Sequence, residues 1–72
     1  MINQLGIYRC RNGQLVDIVR LLKSQPVAEG YAEKDGKKVM FVWRSEDGYR
    51  DRWRENEWDI VEFVAFHESE PD

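Results

Sequence analysis

An all-β fold is predicted by three features of the chain. Three Asx-Gly pairs, Asn12-Gly13, Asp35-Gly36 and Asp47-Gly48, punctuate it, and such pairs supply the positive φ that tight hairpins demand. Residues that suit strands flank each pair. At 72 residues the chain is one domain near the lower limit for unaided folding, so its core is thin. The expected architecture is a small, strongly bent antiparallel sheet or SH3-like barrel of about five to six short strands, with at most one short helix. It spans residues 1–66, and residues 67–72 form an acidic C-terminal tail.

The first hairpin is read with Asn12-Gly13 as a two-residue type I′ loop. Cys10 then faces Leu15, Ile7 faces Ile18 and Leu5 faces Arg20. Leu5, Ile7, Val16 and Ile18 form its apolar face, and Tyr8 and Cys10 point outward as a candidate contact side. Cys10 taken alone reads better as a small buried hydrophobe. Leu15, Ile18, Val19 and Leu22 also fit helical spacing, so Leu15–Lys23 stays open between strand and helix, with strand preferred.

Next, Val27–Glu33 pairs with Lys37–Arg44 across Asp35-Gly36, with a loop of two or three residues. Ala28, Gly30 and Ala32 form a row of little bulk against large neighbouring rings, and Tyr31 takes the opposite face. In the third hairpin a three-residue loop with left-handed Gly48 sets Ser45 opposite Tyr49, Trp43 opposite Asp51 and Phe41 opposite Trp53. That register gathers the rings on one face and Arg44, Arg50 and Arg52 on the other. Trp58–Phe66 is again open between strand and helix. Its aromatic and β-branched content favours a strand that closes the sheet against the N-terminal one.

Several chemistries find no support. Cys10 is the single cysteine and His67 the single histidine, which rules out an intrachain disulfide and gives no zinc spacing. Threonine is absent, and Ser24, Ser45 and Ser69 lie in no nucleophile motif. The glycines form neither a GxGxxG nor a phosphate loop. The expectation is therefore a non-enzyme with no cofactor and no metal. No apolar run approaches the roughly 18 residues of a membrane span, and no signal peptide opens the chain, so the cytoplasm is the expected location without membrane contact.

Charge is uneven. The formal net is −3, yet residues 1–54 carry +4 and residues 55–72 carry −7. Arg44, Arg50, Arg52 and Arg54, with the neighbouring tryptophans, are a candidate face for single-stranded nucleic acid. The plainer reading makes Trp53 core and pairs the arginines with carboxylates. Trp58, among Glu55, Glu57 and Asp59, is a candidate contact for a basic protein partner, or else an edge-packing core residue. A protein partner is favoured over nucleic acid because the chain is acidic. Homodimerisation is the third reading, since a small domain gains stability by pairing edges or apolar faces.

Tyr8-Arg9-Cys10-Arg11-Asn12-Gly13, then Gly30, Trp43, Asp47-Gly48-Tyr49 and Asp59-Ile60-Val61-Glu62, occur in an order that resembles a group of short proteins encoded by bacteriophages and prophages. The likeness spans most of residues 7–63 and rests on turn and core positions. One departure is the central hairpin, which is a residue longer before Asp47-Gly48 and has none between Gly48 and Tyr49. The resemblance implies a small β domain carried by mobile DNA, with no agreed function and no catalytic residues to carry over; for a binding module of that origin the expected setting is a bacterial host cytoplasm and the expected target a host process.

Overall fold

The computed structural model describes residues 2–51 and 54–66. These form five strands: β1 (Gly6–Cys10), β2 (Leu15–Leu22), β3 (Val27–Lys34), β4 (Lys37–Arg44) and β5 (Ile60–Ala65). All pair antiparallel in one sheet of order β4-β3-β2-β1-β5. The described residues contain no helix, so Leu15–Leu22 and Ile60–Ala65, both open between helix and strand, are strands. Among the described residues the sheet is not closed into a barrel: no ladder joins its edges, β4 and β5. They are bridged instead by a loop, in which the Arg44 N–H donates to the Tyr49 carbonyl and the Ile60 N–H to the Gly48 carbonyl, each at 2.8 Å.

The β3–β4 hairpin follows from its turn. Asp35 and Gly36 both have positive φ, 54° and 76°, as a two-residue I′ loop requires. That sets Lys34 opposite Lys37 and Glu33 opposite Lys38. Ala28 then faces Trp43, Gly30 faces Phe41 and Ala32 faces Val39, so small residues accommodate large ones as expected. Gly30 also meets β2 closely. A Cβ there would lie 2.3 Å from the Asp17 carbonyl oxygen, a spacing no side chain tolerates.

The β1–β2 hairpin differs from the expected one by a single position. The Cys10 N–H donates to the Gln14 carbonyl at 2.8 Å, the Gly13 N–H to the Cys10 carbonyl at 2.9 Å, and Gly13 has φ 88°. These contacts make a three-residue loop, 11–13, with glycine in the left-handed position. Asn12 Oδ1 supports it by accepting the Gln14 N–H at 2.9 Å. Tyr8 therefore faces Val16 and Gly6 faces Ile18. Since side chains alternate, the slip turns Tyr8 and Cys10 into the core and leaves Leu5 exposed and Ile7 half-buried. The outward contact side at Tyr8 and Cys10 does not exist, whereas the reading of Cys10 as a buried hydrophobe holds.

A bulge at Val19 explains the broken alternation of β2. Ile18 pairs with Gly30 but Arg20 pairs with Glu29, so β2 carries one extra residue. Inward positions run Val16, Ile18, then Leu21, whereas of the residues that fit helical spacing, Leu15, Ile18, Val19 and Leu22, only Ile18 is in the core. The core of Ile2, Tyr8, Cys10, Val16, Ile18, Ala28, Ala32, Phe41, Trp43 and Ile60 thus lies along one face of the sheet. Ile2 joins this core, and its N–H donates to the Ser45 carbonyl, just past the end of β4, at 2.8 Å.

Candidate binding surface

Asp59 organises the segment that carries most of the sequence-predicted site. Its side chain has no exposed surface. One carboxylate oxygen, Oδ1, accepts the Arg50 N–H at 2.8 Å. The other, Oδ2, accepts the Asn56 N–H at 2.7 Å and Arg11 Nη2 at 3.3 Å. A buried carboxylate is tolerable only with such compensation. The main chain repeats the connection: the Arg11 N–H donates to the Asp59 carbonyl at 2.8 Å and the Asn12 N–H to the Glu57 carbonyl at 2.9 Å. Residues 56–59 are thereby pinned to the β1–β2 loop, and Arg50 is drawn out of line with β4.

The expected third hairpin is consequently cut short. Gly48 is left-handed, at φ 79°, but the Arg44 N–H donates to the carbonyl of Tyr49, and the Gly48 N–H to that of Arg44. The loop therefore has four residues, 45–48, and Arg44, not Ser45, pairs with Tyr49. Neither Arg50 nor Asp51 continues a strand. Arg52 and Trp53 lie outside the described residues, as does the tail, 67–72.

Without that strand the arginines do not share a sheet face. Arg44 sits opposite Val27 on the face away from Trp43 and lies 3.5 Å from Glu46 and 3.4 Å from Asp47. Arg50 lies on the core side, its guanidinium 4.4 Å from the Phe41 ring centroid and its Nε 3.4 Å from the Val42 carbonyl oxygen. Arg54 is 4.0 Å from Asp51. Arg50, Arg54 and Trp58 do line one hollow with Phe41, Asn56 and Lys34, among three carboxylates, Asp51, Glu55 and Glu57.

Trp58 is half-buried. Its N–H donates to Asn56 Oδ1 at 2.8 Å, its carbonyl accepts Trp43 Nε1 at 2.8 Å, and its ring packs edge-on against Phe41 at 5.0 Å. These contacts make it a lid on the Phe41–Trp43 end of the core.

No family model, curated protein or solved structure matches this chain. The surface must therefore be read from its own residues. Its reactive groups are subdued. Burial pushes the Cys10 thiol up to about 11; the nearby Asp59 carboxylate adds to this and Arg50 opposes it. Such a thiol is protonated at neutral pH and a poor nucleophile. Among the described residues no three His, Cys, Asp or Glu side chains stand close enough to hold a metal, and no helix is long and apolar enough to cross a membrane.

The preferred strand within Trp58–Phe66 does pair with the N-terminal strand, but its apolar exposure was not expected. β5 pairs with β1 through two bulges that leave Val61 and Val64 without opposite numbers. Ile60 is buried, but Val61, Phe63, Val64 and Phe66 are exposed, Phe66 by 66%. Phe63 packs on Tyr8 at 5.3 Å and Phe66 on Phe63 at 5.1 Å, which holds these rings at the sheet margin. The other margin differs. On β4, Arg50 covers the Val42 carbonyl and Tyr49 takes the Arg44 N–H.

Proposed function

We propose that the protein is a non-catalytic binding module that contacts another protein through the outer edge of β5. One observation carries this reading. Val61, Phe63, Val64 and Phe66 lie exposed along a strand whose outer side is, from Val61 onward, unpaired by any strand among the described residues. Exposed apolar residues on a free edge suit strand addition, in which main-chain hydrogen bonds give affinity and side chains give selectivity. Val61 and Val64 are the residues of the two bulges that have no opposite number on β1.

In this reading the protein works in a bacterial cytoplasm as a phage- or prophage-borne modulator of a host process. A free, buried Cys10 suits a reducing compartment. The origin rests on the resemblance that runs from Tyr8 to Glu62. Nucleic acid is the weaker partner, because Arg44 and Arg54 lie beside carboxylates and Arg50 is engaged with Phe41 and Val42.

A photo-crosslinking residue at position 64 tests the proposal, with the same residue at position 40 as control. Protein adducts at 64 and none at 40 support it. Adducts only with nucleic acid, or none at 64, overturn it.

A further inference from the structure

We infer that the segment added at the β5 edge belongs to a basic partner: a short extended stretch, matching residues 61–65, in which Lys or Arg alternates with apolar side chains. This rests on the proposal that β5 is the contact edge, and adds the chemistry of what binds there.

The margin has two unlike sides. Glu62 lies opposite Arg9, and Phe63 lies opposite Tyr8, which is in the core. Side chains alternate along a strand, so a chain laid beside β5 turns one residue towards Glu62 and the next towards Phe63. A cation suits the first position and an apolar side chain the second. Glu62 has 55% of its side chain exposed, which leaves room for a second cation beside Arg9. Phe66, packed on Phe63 at 5.1 Å, extends the apolar side. The pairing starts at Val61, because the Ile60 N–H is already given to the Gly48 carbonyl.

Charge sets the sign of the partner. Residues 55–72 hold seven carboxylates and no Lys or Arg, whereas residues 1–54 carry +4. Arg9 and Arg11 offset two of the seven, Glu62 and Asp59, so five remain in surplus, among them the exposed Glu55 and Glu57. Such a field attracts a cationic segment and repels an acidic one, a second copy of this β5 included. It also separates the two margins of the sheet. β4 begins with Lys37 and Lys38 and ends with Arg44, so a basic segment is steered away from it. The exposed apolar edge calls for a strand, and the surplus of carboxylates gives that strand its charge.

Titration of the isotope-labelled full chain at low salt, with a synthetic peptide of about nine residues alternating Lys and Val, tests this. Amides within 61–65 are expected to shift, with a Kd of about 100 µM or below. A peptide with Glu for Lys is expected to bind at least about tenfold more weakly, and so is one with Pro for Val, which keeps the charge but removes N–H donors. Val64→Lys places a cation at an exposed position of the edge. It is expected to leave the circular dichroism spectrum unchanged and to weaken binding of the Lys peptide at least about tenfold. Should it unfold the chain, Val61→Lys replaces it with the same expectation. Met40→Lys makes the same charge change at an exposed position of β4 and is expected to alter the affinity less than about twofold. Equal binding by the Glu or the Pro peptide, or indifference to Val64→Lys, overturns the inference. So do β5 amides that shift with protein concentration alone, the mark of a second copy. If the Lys peptide does not bind while position 64 still forms protein adducts, the basic partner falls and the β5 edge reading stands; absence of both removes both.

Discussion

Asp59 and Arg50 are joined through the main chain: the Arg50 N–H donates to Asp59 Oδ1 at 2.8 Å, and the carboxylate is sealed from solvent. This contact ends the hairpin after Tyr49, sends the Arg50 guanidinium back over Phe41, and aligns the loop so that Trp58 covers Trp43. The same loop occupies the β4 edge and reaches β5 only at Ile60, whose N–H donates to the Gly48 carbonyl.

Asp59→Ala is expected to cost about 3–5 kcal/mol, because it strands the buried N–H groups of Arg50 and Asn56 and removes the partner of Arg11. Asp59→Asn retains an acceptor and is expected to cost about half as much. Urea unfolding of both variants measures this. Equal, small losses would show that Asp59 does not organise the loop.

Gly30→Ala is expected to cost about 2 kcal/mol or more, because the new Cβ would sit 2.3 Å from the Asp17 carbonyl oxygen and force β2 from β3. Gly13→Ala meets nothing within 4 Å, so only its positive φ is penalised, by about 1 kcal/mol. The same unfolding series compares them, and the reverse ranking would contradict the β2–β3 contact.

Cys10 predicts a loss of stability in alkali. Its thiol lies near 9.0 when unperturbed and at about 11 in the folded chain. The folded state therefore holds the proton more tightly, and the stabilisation is complete below pH 9. It is lost as pH rises through 9 to 11, to a total of roughly 3 kcal/mol. Tyr8, raised by burial against the opposing Gln4 hydrogen bond, acts in the same direction at higher pH. Denaturation midpoints at pH 8, 9 and 10 (about one unit apart) should fall for the wild type and fall less for Cys10→Ala.

A labelled single-stranded oligonucleotide at low salt is expected not to bind at tens of micromolar protein, roughly the nonspecific range. Saturable binding lost in Arg50→Ala would restore the arginine reading.

The fold was legible where turn chemistry and residue size agree. Asp35-Gly36 placed the β3–β4 turn, though not whether its loop has two residues or three, and the small row Ala28, Gly30, Ala32 pointed to large neighbours across the ladder. Asn12-Gly13 suits either a two-residue I′ loop or a three-residue loop with left-handed glycine, and the choice inverts which of Ile7 and Tyr8 faces inward. The arginine face failed for a different reason. Alternation holds only while the backbone stays extended, and Asp59 captures the Arg50 N–H from nine positions away. Two of its three partners are main-chain N–H groups, of Arg50 and Asn56, which leave no mark in sequence. β5 was visible as apolar, but its exposure depends on two bulges that alternation does not reveal.

Site-specific photo-crosslinking in host lysate, with the probe at exposed position 64 of β5 and at exposed position 40 of β4, tests the role of β5 most directly. A contact at the β5 edge predicts protein adducts at 64 and none at 40. Adducts at 40 alone, or only with nucleic acid, would contradict it.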